Sequence, residues 1–434
     1  MSPPVIGAIG VVILLLFFVL EMPIAISMAV VGFIGFSLLT SFNAGLSVLA
    51  RDVYTQFSAY TLTAITTFIT MGCYAYATGI TGRLYDASYK WVGQYRGGLA
   101  MASVFACSGF AAISGSTVAT AATIGKVAIP EMKSRGYDNE LAAGCIAAGG
   151  TLGILIPPSN MMIVYGIITQ QSIGKLFIAG FLPGVLLTGL FALVVYITCR
   201  LRPQAGPSGP STSWGVKFKS LLGLVEVVVL FGLVIGGLFA GFFTPTQAGG
   251  IGAAGSLLIG LARRELTWNK FINATKEGLV TSCMILFIIA GATIFGHFVA
   301  VTTIPMAFAN WISEIGWSPL ATMIMIAVIY LVGGCFIDML PLVLLTLPIF
   351  YPVVLSIGYD PIWFAVIIVF VTGAGVITPP VGVNAYVVHG LMREISLRQV
   401  FSGVYPFLAA MVVAIIIMFL VPQLATYLPS FTTY

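Results

Sequence analysis

Charge is what this chain has least of. Asp, Glu, Lys and Arg together make up 7% of 434 residues, while hydrophobic residues make up 59%. A soluble domain carries roughly 25% charged residues, so a soluble fold is excluded. The six cysteines (Cys73, Cys107, Cys145, Cys199, Cys283, Cys335) stand apart in apolar segments. Without paired spacing they provide neither a disulfide framework nor a transition-metal set, and they read as small hydrophobes. His297 and His389 are the only histidines, each isolated and each read as a hydrogen-bonded packing residue. No HExxH, GxSxG or Walker spacing occurs, which leaves enzyme chemistry and ATP hydrolysis without residues to run on. The formal charge of +5 is scattered over loops, so nucleic acid is not a partner. The run beginning at Val5 has neither a basic region before it nor a small-residue cleavage site, and reads as a retained span.

What is there is membrane-length apolar sequence. Runs of roughly 17 to 25 residues, enough to cross about 30 Å of hydrocarbon, fill nearly the whole chain. The fold class is therefore an all-α polytopic membrane protein sitting in a lipid bilayer. Spans are expected near 4–20, 22–41, 59–80, 139–169, 173–199, 219–242, 245–263, 277–302, 361–390 and 401–422. The regions 98–130 and 318–352 are longer and broken by small or polar residues; each is expected to hold a helical hairpin that enters the membrane and returns.

Two segments repeat each other. Residues 153–160 read Gly-Ile-Leu-Ile-Pro-Pro-Ser-Asn and residues 375–384 read Gly-Val-Ile-Thr-Pro-Pro-Val-Gly-Val-Asn. The same offset pairs Pro23 with Pro245, Pro130 with Pro352, Pro157 with Pro379 and Pro158 with Pro380. Proline removes a backbone donor and breaks a helix, so a duplicated chain with broken helices at matching places is the mark of a secondary transporter. The first repeat covers 1–200, with a re-entrant hairpin at about 106–130 and a broken helix at about 139–169. A cytoplasmic linker at 201–218, rich in Pro and Gly, leads to the second repeat at 219–434. Its hairpin lies at about 333–355 and its broken helix at about 361–390.

Lys and Arg cluster in the loops 82–97, 133–135, 200–219, 263–276 and 393–398; apart from Lys126, which lies within the first hairpin, only Arg51 and Lys175 remain for the opposite side. By the positive-inside rule those loops are cytoplasmic and both termini periplasmic. The basic loop 82–97 corresponds to 304–315, which has no Lys or Arg; the loop 41–58, with one basic residue, corresponds to 263–276, with four. Equivalent loops thus face opposite sides, and the repeat is inverted. Segments 82–97 and 304–315, with their Trp and Tyr residues, read as interfacial helices, one per leaflet.

A helix stopped by Pro157-Pro158 leaves carbonyls without intrahelical partners at the negative end of its dipole. Gly153, Ile156 and Ser159 recur every three residues, and so do Gly375, Thr378 and Val381. Such unwound carbonyls, with the Thr378 hydroxyl, suit Na+. In the first hairpin, Ser114-Gly115-Ser116-Thr117 forms a polar turn between apolar arms, and Ser116 corresponds to Asp338. An intramembrane carboxylate costs about 2.5–3.5 kcal/mol and signals function; Asp338 reads either as a cation ligand or as a brace accepting backbone N–H bonds. Glu226 reads as a snorkelling or intersubunit residue. Hydroxyls and amides of Ser116, Thr117, Asn160 and Asn384 are the candidate cargo contacts, with Pro157, Pro158, Pro379 and Pro380 shaping the gate.

The run from Ala147 to Ser159, the segment Thr378-Pro379-Pro380-Val381-Gly382-Val383-Asn384, and Phe336-Ile337-Asp338-Met339-Leu340-Pro341 together resemble the large, DctM-like membrane subunit of tripartite ATP-independent periplasmic (TRAP) transporters. Asn160 and Met161 depart from the more usual apolar run after Pro-Pro-Ser. The resemblance implies import of an organic acid coupled to two or more Na+, with cargo such as a sialic acid, dicarboxylate, oxo acid or sulfonate. It implies two partners, a small four-span membrane subunit and a periplasmic substrate-binding protein, in a bacterial inner membrane. It also implies an elevator in which hairpins and broken helices move against a fixed scaffold. By motif match, Ser114, Gly115 and Ser116 with Gly153, Ile156 and Ser159 would hold one Na+, and Gly334 with Gly375, Thr378 and Val381 a second. The alternatives are a stand-alone Na+/dicarboxylate or citrate-type symporter, which needs no binding protein, and a cation channel or exchanger.

Overall fold

A computed structural model describes residues 2–432. Every regular element among them is helical. In the first half these are α1 (Pro3–Val19), α2 (Ile24–Leu39), α3 (Phe42–Ser58), α4 (Thr63–Ala77), α5 (Ile80–Val92), α6 (Gly98–Ser114), α7 (Thr117–Ser134), α8 (Asn139–Gly150), α9 (Asn160–Thr169) and α10 (Ile173–Leu201). The second half runs through α11 (Trp214–Phe239), whose middle is π-helical at Gly232–Gly236, α12 (Pro245–Ala262), α13 (Trp268–Val301) and α14 (Ile304–Ile315). It closes with α15 (Pro319–Gly334), α16 (Met339–Ser356), α17 (Pro361–Gly375), α18 (Val383–Leu391) and α19 (Leu397–Leu420).

The order of elements repeats. Helices α1 and α2 correspond to α11 and α12, α5 to α10 correspond one by one to α14 to α19, and α3 with α4 corresponds to the single 34-residue α13. The halves interlock rather than sit side by side. Gly32 of α2 lies against the Phe295 backbone of α13, where a β-carbon would be 2.6 Å from the Phe295 nitrogen. In the equivalent pair, Gly252 of α12 packs on Met71 of α4, and Gly249 on Thr67. Small residues allow this close approach where lipid supplies no hydrophobic drive between helices.

Two loops expected from sequence are helical. Residues 42–58 form α3 because the Ser41 hydroxyl accepts from the Ala44 amide at 3.2 Å and caps the first turn. Asn43, Ser47, Arg51, Thr55 and Ser58 stay exposed while Gly45 and Asp52 turn inward. Residues 268–276 belong to α13, whose N-terminus Thr267 caps through the Lys270 amide. Both are polar or amphipathic turns, which an apolar-run reading passes over.

Hairpin arms α6 and α7 meet at Gly115, and α15 and α16 at residues 335–338. Helices α8 and α9, of 12 and 10 residues, are about 18 and 15 Å long at 1.5 Å per residue, so neither crosses the hydrocarbon alone. Between them, residues 151–154 tighten into a 3-10 turn and the chain passes through a cis Pro157-Pro158 bond. The second interruption, between α17 and α18, has a cis Pro379-Pro380 bond. A β-carbon on Gly373 would be 3.8 Å from the Thr151 β-carbon. These two residues are equivalents at the repeat offset, so the pseudo-two-fold axis passes where the interrupted helices cross.

Candidate functional site

The first hairpin ends in a turn that only glycine adopts easily. Gly115 has φ +61°, the left-handed region. A β-carbon there would also come 2.8 Å from the Pro158 carbonyl oxygen and 3.3 Å from both the Asn160 nitrogen and its Oδ1. The hairpin tip is thus seated on the interrupted helix. Ser116 caps α7 by accepting from the Ala119 amide at 3.3 Å, and Ser159 caps α9 by accepting from the Met162 amide at 3.3 Å. Two half-helix N-termini, each with free amides and positive dipole ends, therefore meet at one point.

Beside them, oxygens gather. Thr120 Oγ1 donates to the Ser116 carbonyl at 2.7 Å and lies 2.8 Å from Ser114 Oγ. A β-carbon on Gly153 would overlap the Ser116 carbonyl oxygen and lie 2.6 Å from Thr120 Oγ1. Ser114, Gly115, Ser116 and Gly153 are thereby brought together, with Thr120 added. The sequence reading missed Thr120, although its i+4 spacing from Ser116 on one helix was the available signal. The Ile156 side chain packs toward Gly184 of α10. The Ser159 carbonyl accepts from the Ile163 amide at 3.1 Å, which leaves one lone pair.

The second half repeats the close approach with different chemistry. A β-carbon on Gly375 would come 2.7 Å from the Gly334 Cα and 3.0 Å from the Leu331 carbonyl oxygen. The Val381 amide donates to the Cys335 carbonyl at 3.2 Å, fastening the hairpin tip to the interrupted segment. Thr378 Oγ1 donates to the Ala374 carbonyl at 2.7 Å and the Thr378 amide to the Gly375 carbonyl at 2.9 Å. The hydroxyl oxygen keeps its lone pairs for another partner. Pro157 and Pro158 are buried, whereas Pro380 and Val381 are exposed, so the first interruption is covered and the second open.

The structure places four further residues of the sequence reading. Asp338 occupies the N-cap position of α16 and is exposed, without a side-chain capping bond to the first turn of that helix. Asn384, read as a cargo contact, is 0% exposed and donates to the Ala147 carbonyl at 3.2 Å. Glu226 neither snorkels nor awaits another subunit. It receives Arg83 Nη2 at 3.1 Å and Arg263 Nε, while Arg83 Nη1 holds Glu265 at 2.8 Å. His297, read as a hydrogen-bonded packing residue, has its Nε2 2.9 Å from Asp52 Oδ2, a buried carboxylate on α3. These partners sit 37 to 245 residues apart in sequence, and no local pattern announces them. Among the described residues no cluster of three His, Cys, Asp or Glu could hold a transition metal.

Two matching halves, each with a hairpin tip seated on an interrupted helix, define a multi-pass membrane protein of the secondary-transporter class. The chain belongs to the DctM component family of the tripartite ATP-independent periplasmic transporters, whose sequence profile matches residues 11–424. It is 36% identical over 385 residues to the C4-dicarboxylate TRAP transporter large permease protein DctM of Pseudomonas aeruginosa, covering 88% of this chain and 89% of that protein. It is 35% identical to the isethionate TRAP transporter permease protein DctMQ of Oleidesulfovibrio alaskensis, covering 95% of this chain and 64% of that one. The fold is similar to the crystal structure of the Alcanivorax borkumensis YdaH transporter, with TM-score 0.62 at 14% identity over 89% of this chain and 88% of that one. The curated relatives named here are transporter permeases.

Proposed function

We propose that this chain is the Na+-coupled permease of a tripartite importer for a small organic anion. The observation that carries this reading is the seating of each hairpin tip on the interrupted helix of its own repeat, Gly115 on Pro158 and Gly334 on Gly375. Each junction gathers peptide and hydroxyl oxygens, buried at the first and open at the second, the donor set a hard monovalent cation takes in discontinuous helices. The first Na+ would lie among Ser114, Gly115, Ser116, Gly153, Ile156 and Ser159. The second would lie among Gly334, Gly375, Thr378 and Val381.

The anion would rest against the N-terminal ends of α7, α9, α16 and α18, between the two cations. Helix N-termini bind carboxylate or sulfonate through free amides, which suits a site whose motifs contain no arginine. Relatives named for C4-dicarboxylate and isethionate transport carry anions that share the sign of charge but differ in headgroup and in net charge. Two Na+ per monovalent anion would carry one net positive charge inward, driven by about 2.3 kcal/mol per 100 mV. In an elevator stroke the hairpins and interrupted helices would move as one body. The interlocked α2–α13 and α4–α12 pairs, with interfacial arms α5 and α14, would stay as scaffold. The periplasmic termini, the inner-membrane location, the small membrane subunit and the soluble binding protein belong to the same reading.

Reconstitution tests it. Vesicles holding this chain and its small subunit, given an inward Na+ gradient, should accumulate an organic anion (succinate, isethionate or a sialic acid) only when the binding protein is added. Uptake of free anion without that protein would instead establish the stand-alone symporter.

A further inference from the structure

Asn384 ties the two interrupted helices together, and among the described residues nothing else in the second repeat's loop does so by hydrogen bonding to the first. Its backbone amide donates to the Val376 carbonyl at 3.0 Å and closes the loop between α17 and α18. Its side-chain Nδ2 donates to the Ala147 carbonyl at 3.2 Å, in the last full turn of α8 before the first interruption. The residue is 0% exposed, and its Oδ1 has no hydrogen-bond partner among the described residues. A β-carbon on Gly150 would lie 2.8 Å from this Nδ2 and 2.9 Å from the Thr117 carbonyl oxygen. The amide therefore stands where the end of α8, the start of α7 and the second loop converge.

The repeat counterpart of Asn384 is Met162, buried and without a hydrogen-bonding amide in its side chain. The link is consequently single and asymmetric, unlike the glycine contacts that both halves share. An asparagine held with one amide hydrogen bond and an orphan oxygen is a poor choice for packing alone, because an apolar residue would leave less polar surface unpaired.

We infer that the Asn384 carboxamide is a positioning residue that couples the two sodium sites, so that an ion at either loop raises the affinity of the other. This rests on the two-site sodium reading above and goes beyond it. An ion drawing in the carbonyls of 375–381 reorders a loop whose closing residue holds α8. An ion at 153–159 orders the end of α8 and, through Ala147, returns the effect. Linkage requires the two effects to be equal.

Equilibrium binding of sodium-22 to the purified chain tests this. The native chain should bind with a Hill coefficient above one, and Asn384→Leu, which keeps the bulk and loses the donor, should bring it to one while raising half-saturation about fivefold or more, the low end of ordinary coupling. Gly375→Ala in the native background supplies a second reading that does not need Asn384→Leu to fold. With coupling, crowding the second site weakens both sodium affinities; without it, one alone falls. An unchanged isotherm in Asn384→Leu, or a loss confined to one site in Gly375→Ala, would overturn the coupling. Absence of saturable sodium binding to the native chain would instead overturn the sodium reading itself.

Discussion

Adding one methyl group at residue 153 separates a sodium site from a mere helix kink. The β-carbon of Gly153→Ala would overlap the Ser116 carbonyl oxygen and approach Thr120 Oγ1 to 2.6 Å. Both belong to the first hairpin, which must retreat to relieve the clash. Overpacking of this kind costs about 1–3 kcal/mol. If that strain falls on the closed arrangement that holds the ion, half-saturating Na+ for uptake rises about 5- to 150-fold, since about 1.4 kcal/mol is a factor of ten. The matched control is Gly189→Ala on α10, where no atom lies within 4 Å of the new carbon. Alanine there gains up to about 1 kcal/mol of helix propensity. Gly153→Ala should raise half-saturating Na+, whereas Gly189→Ala should leave it unchanged and raise the unfolding temperature slightly. Wild-type Na+ half-saturation in Gly153→Ala would refute the closed-site geometry.

Further outcomes follow from the same contacts. Thr378→Val removes one oxygen without changing bulk, and should weaken Na+ activation while leaving the thermal unfolding midpoint near that of the native chain. Gly144→Ala drives a β-carbon into the Gly403 carbonyl, backbone against backbone. It should cost about 3 kcal/mol, the upper end of overpacking, and be visible as loss of monodisperse protein on size exclusion. Glu226→Gln removes the charge that both Arg83 and Arg263 approach. Because Arg83 is four-fifths buried, the loss should exceed that of an exposed pair, about 1–2 kcal/mol in a denaturation series. Asp338→Asn separates charge from size: with no side-chain capping bond of α16 to lose, it should leave the unfolding midpoint near that of the native chain, and a large drop would identify the carboxylate as a brace.

The sequence displays the helix interruptions because proline cannot donate a backbone bond, and a diproline copied 222 residues later marks the same break in both halves. The hairpin turns at 114–117 and 335–338 are visible for a related reason, small and polar residues at membrane depth. Helix α3 is hidden because it is amphipathic, with Arg51, Asp52 and Gln56 where an apolar run would be expected. The pairs His297–Asp52 and Arg83–Glu265 are hidden because each joins residues far apart in the chain, and packing rather than local pattern selects them. Asn384 is a mixed case. Its position after the diproline marks it as important, yet nothing local distinguishes a cargo contact from a tie to Ala147.

The most direct test counts ions. In vesicles clamped at zero potential and holding this chain, its small subunit and the loaded binding protein, sodium-22 and cargo influx are measured in the same sample. The account predicts at least two Na+ per anion, falling when Gly153 or Gly375 carries alanine. Cargo accumulation with no accompanying Na+ movement would contradict it.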